Sequence, residues 1–350
     1  MTLDGLSKFI FLFLPILYAW FHHTIFSDRF DTDNFAHRFL TIVQMFAIVG
    51  VAASVQGAFT ETGETLAASF VLEKVIMIIF YQRCVQIEVA KPLAHRLTWI
   101  FTISALFWLI SIFVAAPLRY GLWGLAILSE FIIVFLRSTR MKYAVMPVTQ
   151  SHMVERYGLF TIIVLGESVA GIVKGLGETH MEFTNIAIAG FGLLLIFGYW
   201  WIYFENLDGS ALKGLGGWLP VIWLYIQLPL VMSLTTLGVS IEHLIAEGVH
   251  PLDAYVRWLL VISFAVSFFA IAVTHLVVSQ SKPESLHSQK GRWRLIAAAL
   301  VFISGVLASA LGWSSLSLIS TLALISLIQI SGELFVFGED VGKMEAIDEI

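Results

Sequence analysis

The stretch SHMVERYGLFTIIVLGES, residues 151–168, places His152, Glu155 and Arg156 within five residues and a second carboxylate, Glu167, inside an apolar run. A charged group deep in a membrane helix costs roughly 2.5–3.5 kcal/mol on insertion scales. It persists where a base pairs with it as a pin between helices, or where it handles a proton or an ion. At 100° per residue Arg156 and Glu167 differ by about 20° around the helix axis, and Lys174 returns to the direction of Arg156. These ionisable groups form one stripe, expected to face the bundle interior or an aqueous cavity. Helical rise puts Glu167 about 20 Å from one helix end. Lys74 and Arg257 approach that level from the other side, so a pair between Glu167 and either base is expected.

Two further glutamates stand in matched surroundings, Glu130 in LSEF and Glu333 in SGEL. Glu167, Lys74, Arg257, Glu130 and Glu333 therefore make up the candidate buried polar site. A second group gathers at a helix entrance: His152, Glu155 and Arg156, with Arg29, Asp31 and Asp33 in a loop. Glu155 suits the positive end of a helix, and Arg156 can reach Glu155 or Asp31, which reads as a structural clasp beside a solvated turn. His22 and His23 point about 100° apart, a poor geometry for joint metal ligation, and read as interfacial residues, as do Trp200, Trp201 and Tyr203. GIVKG, residues 171–175, has the small-residue spacing of a close helix contact.

No nucleophile elbow, His-Glu-x-x-His, phosphate loop or EF-hand spacing is present, and the single cysteine, Cys84, supports neither a disulfide nor a multi-cysteine metal site. The expectation is a protein that is not an enzyme and holds no cofactor and no metal. No basic patch stands outside the short loops, so nucleic acid is not a partner. The partners expected are the lipid bilayer and, at the charged stripe, a proton, a cation or a small-molecule substrate.

The elements that must position these residues follow from composition. The chain has 350 residues, 58% hydrophobic and only 13% charged, with a mean hydropathy of +0.87. A soluble domain carries about 25% charged residues. Apolar runs of roughly 20 residues, long enough to cross a bilayer, recur along the chain. The fold class is all-α, a polytopic membrane bundle of about eleven helices near 7–26, 39–59, 66–85, 97–116, 120–136, 154–173, 183–204, 218–241, 254–278, 293–311 and 315–337.

Basic residues alternate between the loops. Arg29, Arg38, Lys91, Arg96, Arg137, Arg140, Lys142, Lys213, Lys282, Lys290, Arg292, Arg294 and Lys343 fall in one set, and Arg119 and Lys174 in the other. Lys and Arg of short loops stay cytoplasmic, which puts the C-terminus inside and the N-terminus outside.

The chain also echoes itself. AWFHHTIFSD (19–28) resembles YWWIYFENLD (199–208), Gln44 matches Gln227, Lys74 matches Arg257, and Glu130 matches Glu333. The organisation expected is two parallel repeats: residues 1–150 with five helices, 151–337 with six, and a cytoplasmic tail at 338–350. The front repeat lacks a counterpart of the quoted helix.

The quoted segment resembles the second-half signature of the bacterial low temperature requirement A (LtrA) family, a His-x-x-Glu-Arg-x-Gly-Leu-Phe stretch leading to Leu-Gly-Glu. Here these are His152, Glu155, Arg156, Gly158, Leu159, Phe160, Leu165, Gly166 and Glu167. RFDTDN (29–34) and YWWIYF (199–204) are similar to that family too. The family opens with a Glu-Leu-Phe-Phe-Asp-Leu type of helix, and nothing of that kind precedes Lys8, as in a short member or an incomplete start. The resemblance implies a multi-pass protein of the bacterial inner membrane. Two functional readings follow: a transporter-like protein with a buried acidic site, or a non-transporting scaffold or cold- and stress-adaptation factor whose buried charges are structural.

Overall fold

The computed structural model describes residues 2–30, 34–132, 149–179, 182–205, 215, 217–248, 252–280 and 286–337. Asp31, Asp33, the loop bases Arg137, Arg140, Lys142, Lys213 and Lys282, and the tail at 338–350 with Lys343 lie outside the described residues. Among the described residues, eleven α-helices form where the apolar runs predict them. They are α1 (Leu3–Arg29), α2 (Phe35–Ser54), α3 (Gly63–Cys84), α4 (Lys91–Ile112), α5 (Leu118–Ile132), α6 (Gln150–Gly177), α7 (Phe183–Phe204), α8 (Leu219–Glu247), α9 (Ala254–Val278), α10 (His287–Leu311) and α11 (Ser315–Ser331), which runs on into a π-helical turn, Gly332–Phe337.

Among the described residues, nine helices are long and apolar enough to cross a membrane: α1, α2, α4 and α6 to α11. Of the other two, α3 carries Glu73 and Lys74 at its middle, and α5 is 15 residues long.

Local chemistry sets the helix ends. Asn34, Asp253 and Ser314 cap α2, α9 and α11 by accepting a hydrogen bond from the backbone N–H of His37, Tyr255 and Ser317. Gly312, at φ +65°, ends α10 in the left-handed region that a side chain disfavours. Helix starts are earlier than apolarity alone suggests, because polar first turns such as HSQKGRWR of α10 are helical too.

The chain divides into two compact units. One is Leu6–Thr149, and the other is Gln150–Ile350 together with Met1–Gly5.

In the first unit α3 packs on α2 and α4, and α4 on α5. Two apolar blocks form. One gathers Phe26, Met77, Phe80, Tyr81, Leu97 and Phe101, and the other gathers Leu66, Phe70, Trp108, Trp123 and Ala126. Along α3 the order is Phe70, then Glu73 and Lys74, then Met77, and along α4 it is Phe101, Ser104, Trp108. A polar layer is thus enclosed between two apolar blocks.

In the second unit α9 packs on α8 and α10, α6 on α8, and α7 on α11. The α6–α8 contact is close because Gly238 leaves room: a Cβ there would lie 2.5 Å from Ser168 Oγ and 2.9 Å from Ser168 Cα. Gly171 and Gly175 also meet α8, at Glu242, so the small-residue spacing does serve a close helix contact.

Candidate functional site

The enclosed layer of the first unit is built by five helices. Lys74 is at its centre. Its Nζ lies 2.9 Å from Glu130 Oε1, donates to Glu130 Oε2 at 3.0 Å, and lies 3.0 Å from Glu73 Oε2. Ser104 Oγ of α4 donates to Glu130 Oε1 at 2.5 Å, and Gln44 Nε2 of α2 donates to Glu73 Oε1 at 3.4 Å. From α1, His22 Nδ1 approaches Glu130 Oε2 at 3.3 Å without the angles of a hydrogen bond. The His22 ring meets Phe101 and Tyr18 edge-on at 4.9 and 5.3 Å. Glu73, Lys74, Glu130, Ser104 and Gln44 are all buried.

Each of these placements follows from helix periodicity. On α2 an exposed apolar stripe of Phe35, Phe39, Ile42, Met45, Phe46 and Val49 leaves Gln44, Ala47 and Val51 on the opposite, buried side. On α5, Trp123, Ala126 and Glu130 share one face at i, i+3 and i+7. A far end of the unit is locked separately: Arg119 bonds Glu64 at 2.8 Å and the carbonyls of Ser111 and Val114, and Trp123 Nε1 donates to Ser111 Oγ at 2.9 Å.

Among the described residues the layer holds two carboxylates against one ammonium, an excess of one negative charge in an apolar surrounding. A single proton or monovalent cation balances it.

The second unit contains its own buried acid, Glu333, in different company. Arg294 Nη2 bonds Glu333 Oε1, Arg294 Nη1 donates to Gln329 Oε1 at 2.6 Å, and Lys290 Nζ lies 3.0 Å from Glu333 Oε2. His275 Nδ1 and His287 Nδ1 are 3.2 Å apart nearby on α9 and α10. Here one acid sits between two bases.

Several expected placements change. Glu167 is exposed on α6 and makes no hydrogen bond or ion pair among the described residues. Lys74 is engaged by Glu73 and Glu130 instead. Arg257 stands in the first turn of α9 and forms no side-chain ion pair or hydrogen bond among the described residues, so it does not pair with Glu167, nor does it match the mid-helix position of Lys74. The stripe exists but is turned outward: Glu167 is exposed and Lys174 reaches Glu242 at 2.7 Å. The opposite face of α6, with Met153, Val154, Tyr157, Thr161, Leu165, Ser168 and Ile172, is the buried one.

At the helix entrance Glu155 and Arg156 form no ion pair among the described residues, so the clasp between them is not made; His152 is exposed and Arg29 half-buried. His22, read as interfacial, stands two turns before the end of α1, which continues to Arg29, and its ring lies beside Glu130.

Glu73, Ser104 and Gln329 complete these sites without a place in the sequence reading, which takes His22 as interfacial, Gln44 as a repeat match, and Lys290 and Arg294 as loop bases. The charged dipeptide Glu73-Lys74 within FVLEKVIMIIF was a readable signal for the first of them.

Residues 1–330 match the family of the bacterial low temperature requirement A protein (LtrA). The chain is 27% identical over 223 residues to a Rhizobium meliloti (strain 1021) protein named Uncharacterized protein RA0937, covering 58% of this chain and 51% of that one. The chain thus spans about half the length of the curated relative it matches. No solved structure matches it.

Proposed function

We propose that this chain, which belongs to the bacterial low temperature requirement A (LtrA) family and spans the membrane several times, is an ion-coupled, transporter-like protein working through the Glu130–Lys74–Glu73 layer. One observation carries the reading. Two buried carboxylates share a single ammonium, an arrangement left one positive charge short and so able to take up a proton or a cation. Ionisable groups inside membrane segments mark proton and ion pathways. Inner-membrane placement with a cytoplasmic C-terminus belongs to the same proposal and is supported by the alternation of basic loops. The matched glutamates in the two halves support a duplicated architecture of like-oriented repeats.

The scaffold reading has its own support in the second unit, where Glu333 is bracketed by Arg294 and Lys290 and hydrogen-bonded through Arg294 to Gln329. That cluster is a lock between α10 and α11. The working layer is the one with surplus negative charge, since the Glu333 cluster holds two bases to one acid.

The experiment is a thermal-shift screen of purified protein against ions and small metabolites, followed by uptake of each stabilising compound into proteoliposomes. Glu130→Gln is expected to abolish gradient-driven uptake while preserving the fold. Uptake by Glu130→Gln and Glu73→Gln with unchanged dependence on the ion gradient refutes the proposal.

A further inference from the structure

We infer that the ion taken by this layer is a proton and that His22 delivers it to Glu130, an inference that rests on the reading of the layer as a working site. Geometry first rules on the ion. A hard metal cation gathers six or more oxygen ligands at short range. Of the four carboxylate oxygens here, three already lie within 3.0 Å of the Lys74 ammonium, at 2.9, 3.0 and 3.0 Å. The fourth, Glu73 Oε1, faces the amide nitrogen of Gln44. A metal ion would have to share its ligands with a positive charge at contact distance. Among the described residues no group of three His, Cys, Asp or Glu side chains is arranged to hold a metal. A proton needs no such shell, because it adds to one lone pair.

Access then identifies the carrier. The side chain of His22 is 15% exposed, against 4% for Glu130, 1% for Lys74 and 0% for Glu73. It is the least buried of these four side chains, and its Nδ1 lies 3.3 Å from Glu130 Oε2. Imidazole has two ring nitrogens, so it can take a proton at one and give one up at the other. The groups facing it are Glu130 from α5 and Lys74 from α3, with Phe101 from α4 and Tyr18 of α1 holding the ring edge-on. In the transfer His22 takes a proton at Nε2 and becomes imidazolium. Its Nδ1–H bond then breaks as an O–H bond forms at Glu130 Oε2, leaving neutral imidazole and a layer without net charge.

The test uses the purified full chain and the proton itself as probe. A rapid pH drop is followed by infrared difference spectroscopy of the protonated-carboxyl band, in choline, sodium and potassium buffers. Wild type should give a band of equal amplitude in all three. His22→Gln should reach the same amplitude about 100-fold more slowly, the scale of a positioned acid–base group, with part of the rate restored by added imidazole. Glu130→Gln should lose the band, and Glu73→Gln, the companion should the first variant not fold, should change its frequency. Amplitude that depends on sodium or potassium overturns the proton as the ion. An unchanged rate in His22→Gln overturns His22 as its carrier. An unaltered band in both glutamine variants sinks the reading of the layer as a working site.

Discussion

Replacing Lys74 with methionine keeps the length of the side chain but leaves Glu73 and Glu130 facing each other in the polar layer without their shared cation. Three oxygen contacts at or below 3.0 Å are lost at once. Removing one partner of a buried ion pair costs about 3–5 kcal/mol, because the remaining charge is uncompensated. That is roughly two to four powers of ten in the folded-to-unfolded ratio. Glu130→Gln should behave differently. Lys74 keeps Glu73, one charge against one, and the new amide oxygen still accepts the Ser104 hydroxyl. Its cost should stay within about 1 kcal/mol, as for a well-tolerated hydrogen-bond replacement. The double variant Lys74→Met/Glu130→Gln should recover part of the loss, since one of the stranded carboxylates is gone. Denaturant titrations of the three proteins in one detergent, followed by circular dichroism, measure all of this. If Glu130→Gln destabilises as much as Lys74→Met, both carboxylates are required in ionised form, and the charge imbalance behind the functional proposal is wrong.

Three other substitutions probe the remaining geometry. Arg294→Met should cost about 3–5 kcal/mol, and a double-mutant cycle with Glu333→Gln should show strong coupling; additive losses would deny the α10–α11 lock. Glu167→Leu should leave stability in lipid nanodiscs unchanged or higher, because it removes an exposed charge, unpaired among the described residues, worth roughly 2.5–3.5 kcal/mol of membrane cost; a clear loss would reveal a polar partner for that carboxylate. Gly238→Ala should lower the melting temperature through overpacking worth about 1–3 kcal/mol, since its Cβ meets Ser168 at 2.5 Å from Oγ and 2.9 Å from Cα; an unchanged melting temperature would contradict the close α6–α8 approach.

The helices were legible because each is announced by an apolar run with polar ends, and α1 to α11 stand where those runs lie. Glu130, Glu333 and Lys74 were legible as costly charges in apolar surroundings. Their partners were not, because periodicity defines the faces of one helix but not which face meets which neighbour. Glu167 illustrates the difference. Its stripe with Arg156 and Lys174 is real, yet the opposite face of α6 is the one that packs, with Tyr157, Leu165 and Ile172 buried and Ser168 fitted against Gly238. Burying those side chains, at about 1.5–3 kcal/mol for each large apolar one, outweighs the cost of a single exposed carboxylate. Arg294 reads as a loop base for a simpler reason: it lies two turns into α10, whose first turns are polar in sequence yet helical.

The indoles of Trp108 and Trp123 stand 5.6 Å apart in the block next to the polar layer, one helical turn from Ser104 and two from Glu130. An indole's emission colour follows the electric field along its ring, and that field is strong where little water screens it. Each gain or loss of charge at Glu130 should therefore tint the fluorescence of these two residues. A wild-type minus Glu130→Gln difference spectrum separates their contribution from the other tryptophans, so the protein carries a built-in optical gauge of its own occupancy.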